Sequence, residues 1–293
     1  MTLPAPDAHQ KAQTLIESLP WLLRFRGAIM VVKLGGNAMV SNDLLDAFAS
    51  DMVYLRTVGV KPVVVHGGGP QISRALDAAG VESEFQGGYR VTTTQAIPIV
   101  ASVLVDDISA DAVSRINAYG ALAEAIGGDG GLFTAQKTTT VVEGQTVDLG
   151  HVGEVTSVAP ENITALLAEG KIPVVSSYVP GLPGEPGLNV NADQAASALA
   201  VALGAEKLVL LTDVPGLYAN WPDTTDVIST ITSSQLREML PTLSSGMIPK
   251  MSSCLDAVEG GVAKAAIIDG RLAHSVLLEI FTPTGIGTEV VER

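Results

Sequence analysis

MVVKLGGNAM, residues 30–39, is the stretch on which the fold turns: an apolar run meets a lysine and then two glycines. Residues 28–34 are apolar apart from Lys33 and read as a buried strand. Residues 43–58 carry Leu44, Leu45, Phe48, Met52 and Leu55 at three-and-four spacing, which predicts a helix with one inner face. A second apolar run, 61–66, leads into VVVHGGGPQIS (63–73) and repeats the layout of strand followed by glycines. Together these make a βαβ unit. KIPVVSS (171–177), KLVLLTDV (207–214) and KAAIIDG (264–270) read as three more core strands. Strands rich in Val and Ile and separated by helices indicate an α/β protein, its parallel sheet covered on both faces.

Outside this frame, residues 9–23 place Ala12, Leu15, Ile16, Leu19, Leu22 and Leu23 on an amphipathic helix, with a kink expected at Pro20. TTTVVEGQTVDLG (138–150) alternates about Glu143 and Gly144 and predicts a hairpin attached to the sheet. The prolines and glycines of YVPGLPGEPGLNVNAD (178–193) predict a loop and a lobe boundary.

Composition narrows the function. The chain has 293 residues, 47% hydrophobic and 16% charged, enough for a sizeable core in one large or two medium lobes. The longest uncharged run, 91–105, is broken by Pro98 and falls short of the roughly 18–20 apolar residues of a membrane span. A formal charge of −14 disfavours nucleic acid and anionic membranes as partners. A small anionic substrate stays open, because a few lysines and oriented amides make a local positive site. The single cysteine, Cys254, excludes an internal disulfide and fits a reducing cytoplasm. With acids at Asp7 and Glu17 and no basic leader, no secretory signal is expected.

Two glycine-rich turns at the carboxyl ends of parallel strands present backbone N–H groups where open α/β sheets bind ligands, and such nests favour phosphate. Neither fits a common nucleotide fingerprint: Pro70 follows Gly67–Gly69, Ile72 stands where a dinucleotide motif needs glycine, and no GxxxxGK[ST] occurs. Tight strand-to-helix packing would also explain the glycines. Lys33, directed inward from a strand end, either faces a ligand or snorkels to the surface. Lys250 follows Pro249 in SGMIPKMSSCLDAVEGG (245–261), near a helix N-terminus where the macrodipole disfavours a cation. An anion shared between amides and ammonium would account for that placement. Asn191 and Asp193 precede an alanine-rich helix and suit capping. Arg90 in GGYRVTT (87–93) suits a bidentate carboxylate clamp or a solvated arginine, and His66 a satisfied core histidine. The histidines, cysteine and acids show no metal-ligand spacing, and no GxSxG elbow occurs.

VVKLGGNAM, VVVHGGGPQIS, GYRVTT, NVNADQAASALA, LVLLTDVPGLY and SGMIPKM, in this order, resemble the acetylglutamate kinases of the amino-acid kinase family from about residue 28 onward. The resemblance implies a three-layer α/β/α sandwich around a mainly parallel central sheet, with an extra N-terminal helix in residues 1–26. The kinase domain would be 27–293, a substrate lobe at about 27–187 and a nucleotide lobe at about 188–293. It implies transfer of the γ-phosphoryl group of ATP, with Mg²⁺, to the side-chain carboxylate of N-acetyl-L-glutamate in arginine biosynthesis. Lys33 and Lys250 would flank the moving phosphoryl, and Asp193 would orient both. Gly35, Gly36, Gly68 and Gly69 would supply amides to phosphoryl and substrate; Arg90 and Asn189 would hold N-acetylglutamate; Asp213 and Tyr218 would line the nucleotide pocket. A carboxylate nucleophile is already ionised at neutral pH, so no general base is required.

The helix before the first strand is similar to one that interlaces dimers into a hexamer, a trimer of dimers, in arginine-inhibited members. DGRLAHSVLLEIFTPTGIGTEV (269–290) resembles their arginine-site segment, with Glu279 for the guanidinium and Gly285 to Thr288, including Gly287, for the carboxylate of L-arginine. A capping helix and an ordinary last strand are the plain alternative. Leu34 stands where many relatives have an aromatic, and His151 where an apolar residue is usual. Aspartate, glutamate, carbamate or nucleoside monophosphate kinases of the same family, and a catalytically silent arginine sensor, are the rival readings.

Overall fold

The computed structural model describes residues 5–39, 41–127, 131–142, 144–220, 222 and 224–292. The chain opens with α1 (Ala5–Phe25), a helix that continues through Pro20. The βαβ unit follows as β1 (Ile29–Leu34), α2 (Asn42–Thr57) and β2 (Lys61–His66). Ser41 caps α2 by accepting the Leu44 N–H, satisfying one of the orphan donors of the first turn. α3 (Gly69–Ala78) starts directly after β2, with Pro70 in its first turn. β3 (Phe85–Gln86) and β4 (Tyr89–Arg90) pair as a short antiparallel hairpin.

An interrupted helix comes next: α4 (Ala96–Ser102), a π-helical turn (Val103–Ile108) and α5 (Ser109–Asn117). β5 (Ala123–Ile126), β6 (Phe133–Val142), β7 (Gln145–Val158), α6 (Glu161–Ala168), β8 (Ile172–Ser176), β9 (Tyr178–Val179) and β10 (Leu188–Val190) complete the first two thirds. The remainder is α7 (Ala192–Ala202), β11 (Lys207–Thr212), β12 (Thr230–Thr232), α8 (Ser233–Met239), α9 (Ile248–Glu259), β13 (Lys264–Asp269), α10 (Ser275–Phe281) and β14 (Thr288–Val291).

Eight strands form one sheet in the order β12-β14-β13-β11-β1-β2-β8-β5, every neighbouring pair parallel except β13 with β14. The mainly parallel sheet agrees with the Val/Ile runs in the sequence. The hairpin of β6 and β7 does not join it. Instead it forms a separate four-stranded sheet with β10 and β9, and the Pro/Gly-rich segment expected to be a plain loop supplies those two short strands. Period-two alternation reveals a hairpin but not which edge receives it. Glu143, at the expected turn, lies outside the described residues.

Alternation along β1 decides which layer each side chain enters. Met30, Val32 and Leu34 join the core formed with Phe48, Met52 and Leu55 of α2, Ile72 and Leu76 of α3, and Val276 and Ile280 of α10. Val31 points the other way, into the core built by Leu199 of α7 and Met251 and Cys254 of α9. Lys33 shares the parity of Val31 and is therefore directed to the layer of α7 and α9. β1 is flanked by β2 on one side and β11 on the other, both parallel to it. Connections leave in opposite directions there, and the carboxyl ends of these strands open a crevice of the kind that binds ligands in doubly wound sheets.

Candidate active site

Three charged side chains meet in that crevice. Lys33 Nζ lies 2.8 Å from Asp193 Oδ1, and Lys250 Nζ lies 3.0 Å from Asp193 Oδ2. One carboxylate thus ties a strand near the start of the chain to a helix near its end. Lys33 and Asp193 are only 6% and 4% exposed, so neither charge could persist there alone, and each makes the other tolerable.

The helix ends explain the arrangement. Asn191, in extended conformation, caps α7 and accepts the N–H groups of Asp193 and Gln194 at 2.8 and 3.3 Å. Capping is thereby assigned to Asn191, which leaves the carboxylate of Asp193 to the lysines. Lys250 stands in the first turn of α9 beside Pro249, where the helix dipole works against it. Asp193 supplies the compensating charge.

Burial is the strongest influence on all three groups. It lowers the pKa of Lys33, assisted by Lys250, while Asp193 and Asp213 oppose the change. For Asp193 burial pushes upward, but the two ammonium groups outweigh it and hold the carboxyl well below the usual range. At Lys250 burial again favours the neutral amine, yet Asp193 and Asp213 together raise the pKa. The result is a preorganised pair of cations aimed at one place, with their counter-charge on the inner side.

The first glycine turn is shaped by what crosses it. A Cβ on Gly35 would overlap Lys33 Nζ, so the missing side chain is what lets the lysine fold back across its own turn. Gly36 has φ +64°, in the left-handed region, and a Cβ there would overlap the Asp213 carboxylate. Asp213, just past β11, accordingly sits over this turn. Tyr218 lies further along the same segment and bridges to Val227.

Gly68 and Gly69 form the entry to α3. Beneath them runs Arg90, buried, donating to Gly69 O at 3.0 Å, to Ser73 Oγ at 2.7 Å and to Ser83 Oγ, with its guanidinium 4.6 Å from the Phe85 ring centre. Three of its five N–H groups are committed to the protein, which fixes the plane of the fork. Asn189 donates to Thr92 Oγ1 at 3.3 Å.

Glu279, Gly285 and Gly287 stand elsewhere. Glu279 Oε1 is 2.8 Å from Lys207 Nζ, and its Oε2 accepts the Ile286 N–H at 2.9 Å. Lys207 begins β11 whereas Asp213 follows its end, so the two sites are separated by roughly 20 Å along the strand. Gly285 (φ +63°) lies against the Glu279 carboxylate, and a Cβ on Gly287 would overlap Ile267 O. Sequence reasoning missed Lys207, which also pairs with Glu289 at 3.0 Å. Its signal was available: like Lys33, it is a lysine in an otherwise apolar strand.

Comparison with known proteins agrees with the fold. The sequence pattern of the amino acid kinase family matches residues 28–269. An acetylglutamate kinase of Arthrobacter sp. (strain FB24) is 57% identical over 291 residues, covering 97% of this chain and 94% of its own. That of Clavibacter michiganensis subsp. michiganensis (strain NCPPB 382) is 61% identical over 288 residues, with coverages of 97% and 95%. Among solved structures, N-acetylglutamate synthase from Neisseria gonorrhoeae, complexed with coenzyme A and N-acetyl-glutamate, superposes with TM-score 0.81 at 26% identity. Its complex with coenzyme A and L-arginine gives 0.80 at 25%. These alignments cover 96% of this chain but only 63% and 65% of the synthase chains. Matched by the family pattern over most of its length and by acetylglutamate kinases over nearly all of it, the chain belongs to the amino-acid kinase family and, within it, to the acetylglutamate kinases.

Proposed function

We propose that the chain transfers the γ-phosphoryl group of ATP to the side-chain carboxylate of N-acetyl-L-glutamate, as the second-lobe and first-lobe ends of one crevice close on the two anions. The observation that carries this reading is Asp193 holding Lys33 and Lys250 at 2.8 and 3.0 Å, with glycine-rich turns beside them. A carboxylate oxygen attacks phosphorus, the bond to the β-phosphate oxygen breaks, and ADP leaves with that electron pair. No proton is transferred, which suits a site whose central acid is held ionised. The two lysines offset repulsion between the anions and neutralise the equatorial oxygens as bonding shifts; alignment and charge stabilisation supply the catalysis.

In this reading Gly35, Gly36, Gly68 and Gly69 give amides to the phosphoryl and substrate oxygens, and Asp213 and Tyr218 line the nucleotide pocket. The substrate lobe is 27–187 and the nucleotide lobe 188–293. Both Asp193 oxygens face lysines, and no group of three acids, histidines or cysteines gathers as a cation cage among the described residues. Such a donor set fits Mg²⁺ that arrives on ATP, held by phosphates and water, where it supplies charge neutralisation. No described helix is long and apolar enough to cross a membrane, and the buried free thiol of Cys254 fits a cytoplasmic enzyme.

Arg90 and Asn189 hold N-acetylglutamate. Arg90→Lys keeps the charge but loses the planar fork, so KM for N-acetylglutamate rises roughly tenfold while KM for ATP changes little. Equal increases in both constants would remove Arg90 from the substrate site.

L-Arginine is the proposed inhibitor. A cavity of about 160 Å³ is lined by Trp21 and Arg24 of α1 together with Lys207, Glu279 and Gly285, and α1 exposes Leu15, Ile16, Leu19 and Leu23. That unpartnered apolar stripe suits pairing of dimers through α1 into a hexamer. Deleting residues before Gly27 therefore converts the hexamer to dimers and weakens inhibition, as read by light scattering and by activity with added arginine; an unchanged hexamer would contradict the assembly. Substrate identity is tested by ADP release with N-acetylglutamate, glutamate and aspartate, each with and without arginine. Turnover confined to N-acetylglutamate is expected, and a preference for another acid would assign the site to a sister activity.

A further inference from the structure

His66 ends β2 directly beneath the second glycine turn and is fully buried. Its ring makes two contacts, Nδ1 to Gly67 O at 3.1 Å and Nε2 to Ser109 Oγ at 2.8 Å. Gly67 O only accepts, so Nδ1 carries the proton in the first. Burial lowers the pKa of His66 to about 4, leaving the ring neutral and Nε2 a bare acceptor at neutral pH. Ser109 must then donate to Nε2. The alternative acceptor for its hydroxyl, Leu104 O at 3.1 Å, is longer and already receives the Ser109 N–H across the π-helical turn. A single arrangement satisfies every group: Ser109 O–H to Nε2, and Nδ1–H to Gly67 O.

The direction of the next amide follows from covalent geometry. In a trans peptide the carbonyl and the following N–H point opposite ways. With Gly67 O turned toward the buried imidazole, the Gly68 N–H is turned away from it. The same turn is wedged from below, since a Cβ on Gly68 would lie 3.0 Å from Leu104 Cδ2 and 2.5 Å from Ile108 Cδ1. Ile108 and Ser109 are consecutive at the end of the π-helical turn. The extra residue of that turn thus brings a wedge for Gly68 and a hydroxyl for His66 to the same place, which gives this irregularity a role.

We propose that His66, with its tautomer set by Ser109, is a positioning residue that aims the Gly68 amide at the reacting oxygens. This rests on the reading above in which Gly68 donates to the phosphoryl or substrate. His66 itself touches neither.

Asparagine and glutamine separate the two ends of the ring. In His66→Asn the amide nitrogen takes the place of Nδ1 and keeps a donor for Gly67 O; in His66→Gln the amide reaches the place of Nε2, where its oxygen accepts from Ser109, and leaves Gly67 O without a donor. Steady-state rates are measured per folded enzyme, with circular dichroism and thermal melting as controls. His66→Gln is expected to lower kcat roughly 10²-fold, the scale of one misaimed transition-state donor, with KM values within about threefold of wild type. His66→Asn recovers most of that loss. Ser109→Ala, which folds around a smaller change, lowers kcat several-fold with KM unchanged and decides the matter if the glutamine variant does not fold. Equal kcat in the Asn and Gln variants, or full activity in Ser109→Ala, would overturn the inference while leaving the reaction intact. Absence of wild-type turnover with N-acetylglutamate would remove the reading of the site itself.

Discussion

Lys33→Ala lowers kcat for N-acetylglutamate phosphorylation by roughly 10²- to 10³-fold, the cost of one preorganised transition-state donor, while KM for ATP changes by a small factor. The asymmetry follows from the site. Lys33 is buried and pinned to Asp193 at 2.8 Å before any substrate enters, so its charge is spent where negative charge shifts rather than on ground-state capture. Lys250, more exposed and reaching Asp193 at 3.0 Å, is expected to contribute to both kcat and KM. Steady-state ADP release checks this split. Wild-type kcat in Lys33→Ala would remove the mechanism.

Asp193→Asn is the second large effect, and it acts on both activity and folding. Without the carboxylate, two ammonium groups face each other, one of them almost fully buried. Breaking a buried pair by deleting one partner costs about 3–5 kcal/mol. Lys33 can escape part of that cost by losing its proton, since burial already lowers its pKa, and Lys250 can turn toward solvent. The lower figure, about 3 kcal/mol, is therefore expected, a fall in Tm of roughly 5 °C for a chain of this size. Activity drops by at least 10²-fold, because the neutral Lys33 no longer stabilises charge. Thermal melting and kcat are measured on the same preparation. An unchanged Tm would show that the lysines find their counter-charge elsewhere, contrary to the geometry.

Much of this site was legible before the fold was in view. The position of Lys33, directed inward from a strand end, and the placement of Lys250 after Pro249 both identified cations with an unusual need for a partner, and the structure brings them to one carboxylate. For Asn191 and Asp193, capping chemistry applies equally to both, and only coordinates separate the cap from the ion pair. The β6–β7 hairpin was legible as local pairing, but its sheet depends on β7 pairing in parallel with Asn189 and Val190 of β10, which sequence alternation does not encode. Ser109 and His66 were invisible as a pair, since the π-helical turn that aligns them leaves no mark in hydrophobic periodicity. Lys207 and Glu279 lie 72 residues apart in sequence, and the lysine alone was readable.

The most direct test is acyl-phosphate trapping with hydroxylamine, using purified protein, Mg-ATP and N-acetylglutamate, with ADP measured in the same samples. Transfer to a carboxylate predicts hydroxamate formed in step with ADP and lost together with it in Lys33→Ala. ADP without hydroxamate would mean that water, not the carboxylate, receives the phosphoryl group, and would contradict the account at its centre.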